Sequence, residues 1–355
     1  MTTAPRDAPT RVGLIGFGLG GATFHAPFIS STPGLQLAAV MTGDSARAQA
    51  VAQEYRGTTV VATLDALLAI SPRLDLISIS TPNASHYPLA RAALEGGMHV
   101  VVDKPFAATA AQARELHDIA TRAGKLAMPF QNRRWDGDFL TLQQLLRDDA
   151  LGRVFRYESR FDRWRPTPKP GWCSPDGQAR AENIVHDIGT HLIDQALVLF
   201  GPVTSVYAEL MQRHAGVVTS DDGFLALTHA SGVSAHLYMS AMAGQPGPRM
   251  SVFGSRAAYM KHGLDVQEDA LRAGMRPDDD AYGEEPDARW GTLAGPGLSA
   301  TVPTLRGAYP EFYRGVARAV REGAPPPVPA ADVIAGLEIV EAAFLSHERK
   351  AVVSL

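Results

Sequence analysis

Apolar and polar positions change rhythm along this chain near residue 150. Before it, short apolar runs alternate with helical stripes. Arg11–Ile15 reads as a strand that enters a glycine turn and a helical stretch. Leu35–Met41 is apolar again, and Asp44 is placed to cap a helix running through Tyr55. Leu74–Ser80 and Met98–Val102 read as buried strands; between them Leu89, Ala92, Ala93 and Leu94 give a helix its apolar stripe. A helix over Thr109–Ala123 and a strand over Lys125–Phe130 complete the run. Strands and helices alternating at this spacing predict βαβ units and a parallel sheet, with right-handed crossovers placing the strand ends on one side.

After residue 150 the period becomes two. Arg153–Phe161 alternates as a long half-exposed strand, and a proline-rich loop, Arg165–Pro170, precedes a helical stretch from Glu182 to Phe200. Strands are expected at Val203–Met211, Phe224–His229, Val233–Met239 and Met250–Phe253. Asp269–Gly297, rich in Gly, Pro and Asp, reads as an irregular excursion, and helices return at Glu311–Arg321 and Ala331–His347. Runs of strands with little helix between them predict a largely antiparallel sheet, open on one face. The expected organisation is a flexible tail over 1–10, an α/β domain over 11–132 and an α+β domain over 133–355, whose C-terminal segment can pack back on the first.

Composition narrows the classes. A chain of 355 residues is too long for one small core, and 45% hydrophobic with 20% charged residues is ordinary for a folded protein. A net charge of -4 offers no electrostatic reason to bind nucleic acid or an anionic membrane. No run approaches the roughly 18 apolar residues of a membrane helix, and Met1–Thr10 lacks the apolar core of a signal peptide. The single cysteine, Cys173, excludes an internal disulfide, argues against a thiolate zinc site and fits a reducing cytoplasm.

Candidate chemistry gathers at the strand ends. Gly16-Phe17-Gly18-Leu19-Gly20-Gly21 follows the first strand, where glycines permit a tight turn and a close approach to a pyrophosphate. At the end of the second strand Thr42 stands where an acid would bind a ribose 2′-hydroxyl. Thr42, Ser45 and Arg47 are then donors for a 2′-phosphate, which leans the reading to NADP. Asp44 can itself be the ribose acid, which keeps NAD possible. Ser80-Thr81-Pro82-Asn83, with His86 beyond, either borders the nicotinamide ribose or is a proline turn with Asn83 capping the next helix. Asp103-Lys104-Pro105 ends another apolar strand, and an ammonium held there needs a partner or a task.

Asp187 and His191 stand four residues apart, so one helix face can present both to a cleft. Histidine titrates near neutrality and suits removal of a hydroxyl proton, while the carboxylate can orient it or bind a second hydroxyl. The alternatives are a capping aspartate and a core histidine. No convincing third ligand accompanies the pair, so no metal is expected. Asn132 and Arg133 either bond substrate hydroxyls or brace the domain interface, and Trp164 and Trp172 flank the proline loop as a candidate wall for a sugar face.

Four stretches carry a family resemblance: Gly16–His25, Asn132–Asp136, Asp187–His191 and Gln267–Gly274. From Arg11 to Val353 the chain resembles the glucose-fructose oxidoreductase/inositol dehydrogenase/rhizopine-catabolism (Gfo/Idh/MocA) family, most of all its NADP-dependent scyllo-inositol 2-dehydrogenases. The resemblance implies a Rossmann domain plus an α+β domain whose open sheet joins subunits into homodimers or homotetramers. It also implies a catalytic set of Lys104, Asp187 and His191, with Lys104 in the place of the family's Glu-Lys-Pro lysine. Three departures stand out: Asp103 for the usual Glu, Glu182–His186 where relatives commonly carry glycines and small residues, and Asp44 where an NADP-preferring relative can carry a base. The expected activity is reversible oxidation of a secondary alcohol on a cyclic polyol or sugar. The alternatives are an aldose or glycoside dehydrogenase and a non-catalytic NAD(P)- and sugar-binding regulator.

Overall fold

The structure, a computed structural model, describes residues 8–355. Most of the expected tail therefore lies outside the described residues, while Thr10 already opens the first strand. Six strands form one sheet: β1 (Thr10–Ile15), β2 (Leu35–Met41), β3 (Thr59–Val61), β4 (Leu76–Ile79), β5 (His99–Val102) and β6 (Ala127–Pro129). Their order is β3-β2-β1-β4-β5-β6, and every pairing is parallel. Such a sheet needs cover on both faces, which is why β4 and the last three residues of β5 are buried throughout. The order reverses at β1, so the glycine turn and the ends of β4, β5 and β6 share one edge beside the switch point.

The second sheet has nine strands in the order β14-β13-β12-β11-β7-β10-β9-β8-β15. These are β7 (Val154–Asp162), β8 (Val203–Met211), β9 (Asp222–His229), β10 (Ser234–Ser240), β11 (Met250–Gly254), β12 (Ala258–Lys261), β13 (Gly291–Gly295), β14 (Leu298–Val302) and β15 (Val353–Ser354). All pairs are antiparallel except β7 with β10. One face buries Tyr157, Phe161, Leu225, Leu237 and Met239 with the helix Thr190–Phe200; the opposite face carries Arg156, Glu158, Arg160 and Tyr238. The expected irregular stretch 269–297 is partly wrong. A helix, Gln267–Arg272, runs into it, and β13 lies within its end. β13 is five residues without an apolar run, and it is a strand because β12 and β14 pair with it.

Two cores follow the two sheets. The first also takes Phe312, Tyr313 and Val316 from the helix Pro310–Glu322, and Val333 and Leu337 from the helix Ala330–Arg349. That last helix gives its second half, Ile339 to Ala343, to the other core. The chain thus returns to the first sheet before it ends.

Candidate active site

Three strand ends of the first sheet and a loop and two helical segments of the second region converge on a pocket of about 260 Å³. From the first sheet come Leu19 and Gly20 of the glycine turn, Asp103 and Lys104 after β5, and Asn132 and Arg133 after β6. The other wall is Arg163, Arg165 and Lys169 from the loop after β7, with Asp187 and His191 beyond. A wider depression of about 780 Å³ lies at the opposite edge, against the strand starts Thr10 and His99, and holds none of this chemistry.

The glycine turn is shaped for a ligand. Gly16 has φ +93, and a Cβ there would run into the carbonyl of Ser80; one on Gly21 would meet the carbonyl of Gly16. Gly18 differs. A Cβ on it would find only Arg47 Nη1, at 3.8 Å, so the space before it is open. A chain packed tightly behind the turn and open in front of its second glycine fits a dinucleotide pyrophosphate. Beside it, Asp44 caps the helix Ser45–Glu54 by accepting from the Arg47 amide, as expected, and its own amide donates to Thr42 Oγ1 at 3.3 Å. Ser45 and Arg47 are exposed on the same turn.

Lys104 is held firmly. Its Nζ donates to Asp187 Oδ1 at 2.7 Å and to the Asp187 carbonyl at 2.6 Å. Lys169 donates to the other carboxylate oxygen, Oδ2. An ammonium has three N–H groups, so Lys104 keeps one for a third partner. Burial alone would raise the Asp187 carboxyl, but the two ammoniums outweigh it and hold the group far below the usual carboxylate range.

His191 is buried, and burial, with the charges of Lys104 and Arg133, drives its proton affinity well below the ordinary histidine value. Its Nδ1 meets Gln131 Oε1 at 2.9 Å. An amide oxygen only accepts, so Nδ1 carries the hydrogen and Nε2 keeps its lone pair as a base. This corrects one expectation: Gln131 orients the histidine, while the Asp187 carboxylate is engaged by the two lysines. A second correction is local. Asp187 lies in a π-helical stretch, Val185–Gly189, and His191 in the α-helix after it, so the pair does not share a regular α-helical turn.

Asp103 fills the place expected of a glutamate by capping its own neighbour. Oδ1 accepts from the Lys104 amide at 2.8 Å and Oδ2 from Ser80 Oγ at 2.9 Å. His25 Nε2 stands 3.4 Å from Oδ2. Burial pushes the Asp103 carboxyl up, but His25, His86 and Lys104 together bring it well below its ordinary value.

The other expected residues divide. Asn132 lines the pocket, and among the described residues its side-chain amide has no hydrogen-bond partner, which leaves it for a ligand. Arg133 also lines it but braces: it bonds Tyr309 at 2.7 Å and Glu268 at 2.5 Å. Trp172, expected as a wall, is buried 5.5 Å behind the Lys169 ammonium and does not line the pocket. Asn83 caps no helix; its amide reaches the Ala181 carbonyl at 2.9 Å. His86 meets the carbonyls of Pro105 and Thr81, both at 2.8 Å, so both ring nitrogens are occupied. It buttresses the Thr81–Pro82 turn from within. Gln131, Lys169, Arg163, Arg165 and Glu268 were not singled out from sequence. The only signal for Gln131 was its place just past a strand end; for Lys169, a lone cation in the proline loop.

The comparisons with known proteins match the two-domain architecture and its Rossmann fold. A model described as an oxidoreductase family with an NAD-binding Rossmann fold matches residues 10–131, and a GFO/IDH/MocA C-terminal domain model matches 139–260. The chain belongs to the Gfo/Idh/MocA oxidoreductase family. It is 40% identical to the oxidoreductase YdgJ of Escherichia coli over 97% of this chain and 98% of that one. It is 34% identical to the scyllo-inositol 2-dehydrogenase (NADP(+)) IolW of Bacillus subtilis, over 97% and 96%. The solved structure of the oxidoreductase yvaA from Bacillus subtilis superposes with a TM-score of 0.92, at 33% identity, covering 99% of this chain and 100% of that one. This Gfo/Idh/MocA member is an NAD(P)-dependent dehydrogenase acting on a small molecule. No helix among the described residues is long and apolar enough to cross a membrane.

Proposed function

We propose that this dehydrogenase oxidises, reversibly, a secondary alcohol of a cyclic polyol or sugar, after the manner of a scyllo-inositol 2-dehydrogenase, with NADP as the preferred cofactor. The observation that carries the reading is Lys104 fixed on Asp187 with one N–H to spare, in one pocket with a neutral, oriented His191. The residues placed to hold the cofactor are Gly16–Gly21 with Thr42, Ser45 and Arg47; Ser80 and Asp103 stand at the strand ends where its reacting end belongs. When bound, the nicotinamide supplies the hydride acceptor, or the donor in reverse. His191 Nε2 takes the hydroxyl proton, and the remaining Lys104 N–H steadies the negative charge growing on that oxygen. Asp187 holds both lysines in place, and Asn132 offers its amide to a neighbouring hydroxyl.

Support for NADP comes from Asp44 being occupied as a helix cap and from Arg47 lying beside Gly18, together with the name of the relative IolW. The reading also includes a cytoplasmic homodimer or homotetramer, supported by the lone exposed Cys173 and by the sheet face open opposite the helices. A division at 132/133 is supported by the two cores, with the helix Pro310–Glu322 returning to the first. The test is the reduced-nicotinamide absorbance band, followed while inositols, aldoses and ketoses are screened with NAD and NADP. Turnover of an inositol with NADP is expected. Turnover confined to aldoses or glycosides redirects the substrate, a strong NAD preference removes the cofactor assignment, and silence with tight sugar binding identifies a sensor.

A further inference from the structure

The pocket carries more positive charge than its reaction uses. Asp187 is shared by Lys104 and Lys169, and Glu268 by Arg133, Arg163 and Arg272. Asp103 is the third carboxylate, and Arg165 is the sixth cation. Among the described residues the Arg165 guanidinium makes no hydrogen bond or ion pair. Three acids against six bases leave a surplus of about three charges in a chain whose net charge is -4, so the surplus is local.

These cations stand on a built wall. The Arg163 and Arg165 amides donate to the carbonyls of Ser240 and Ala241, both at 2.8 Å, and Trp164 pairs with Met242 as an antiparallel bridge. Residues two apart on extended backbone face the same way, so Arg163 and Arg165 both line the pocket while Trp164, between them, is exposed. The arrangement carries a cost: burial disfavours the charged forms of Arg163 and Lys169, and the charge of Arg165 counts against each. A bound anion would offset that cost, and a bidentate acid group matches a guanidinium.

We infer that Arg163, Arg165 and Lys169 form a subsite for an acid group, so that the substrate is a polyol or sugar bearing a carboxylate or a phosphate monoester. This rests on the dehydrogenase reading above and names its substrate class. The experiment compares kcat/KM with NADP for galactose against galacturonate, glucose against glucuronate, and glucose against glucose 6-phosphate, in the parent enzyme, Arg165→Gln and Arg165→Lys. In at least one pair the acidic member should exceed its neutral counterpart tenfold or more. Arg165→Gln should cut that ratio about tenfold, and Arg165→Lys should restore most of it. Preference for uronates or for the phosphate ester identifies the acid group. Neutral preference in every pair overturns the inference. So does an Arg165→Gln enzyme with an unchanged acid-to-neutral ratio but weakened NADPH binding by fluorescence titration, since Arg165 would then serve the cofactor phosphates. If no sugar turns over, calorimetry of glucuronate and glucose on the NADP-loaded protein separates the two readings. Arg165-dependent preference for glucuronate keeps the subsite and removes the dehydrogenase reading; equal or absent binding of both removes the subsite.

Discussion

Asp187 and Asp136 are both drawn out of water among charged neighbours, yet they titrate in opposite directions. At Asp187 two ammoniums overcome burial, and the carboxyl is held far below its usual range. Asp136 is 1% exposed; its Oδ1 accepts from the Tyr309 hydroxyl at 2.7 Å and lies 3.5 Å from Arg133 Nη1. Burial raises it, Arg133 pulls the other way, and the nearby Asp265 and Asp138 push it higher still, well above the ordinary value. Burial is common to both, so the neighbours decide the sign. The cluster that opens into the pocket keeps its charges; the closed one favours shedding one by taking a proton.

The sharpest way to break the contrast is at the pocket itself. His191→Ala should lower kcat by about 10³-fold, within the range of general-base catalysis, with cofactor affinity changed only a few-fold in a binding titration. Lys104→Met should lower kcat by about 10²-fold while leaving NADPH binding nearly intact. Unchanged turnover in both variants would remove the mechanism. Asp187→Asn leaves two ammoniums facing each other. It should cost about 10-fold or more in kcat and, because the carboxylate is partly open to the pocket, about 2 kcal/mol of stability in a denaturant titration, less than the roughly 3–5 of a fully buried pair. Asp136→Asn keeps the shape and mimics the protonated form, so its cost should stay below about 1 kcal/mol.

A pH series sharpens the comparison further. His191 is neutral when folded, so its contribution to stability is present above about pH 6.5 and lost as the pH falls below that value. Asp187 acts in the same sense further down: its contribution is present above about pH 3.8 and lost as the pH falls through its depressed folded value. Asp136 runs the other way, favouring the fold below pH 3.8 and losing that contribution as the pH rises through its elevated folded value. Thermal melts should therefore show Asp136→Asn gaining on the parent as the pH rises, and the activity profile should keep its acid limb below pH 6.5. A parent and variant with parallel melting curves would refute the assignment at Asp136. Gln131→Leu should cost about tenfold in kcat, well short of the loss at His191, because the ring loses its orienting acceptor but not its surroundings.

What sequence reveals here is local, and what it hides is spatial. The glycine turn was legible because backbone geometry demands glycine at Gly16, and the strands β8 and β10 because alternation survives in one sequence window. Lys104, Asp187 and His191 were readable as a set through family resemblance. Gln131 and Lys169 were not, since their roles come from partners 60 and 18 residues away, which no local pattern encodes. Trp172 misled for the opposite reason: its neighbourhood on the proline loop was right, but the Lys169 side chain stands between it and the pocket.

The closing helix, Ala330–Arg349, has a mechanical meaning. Its Glu341 takes the amide of Ala110 and its Glu338 pairs with Arg114, both on the first region, while Ser346 and His347 take the amides of Ala208 and Leu210 on β8. It is a strut bolted at both ends. A cleft spanned by such a strut cannot open or shut without straining or undoing one set of those contacts, so the helix resists a change in the gap between the two sheets. The side chains that line the gap then meet their ligand across a spacing that the closing helix helps to hold.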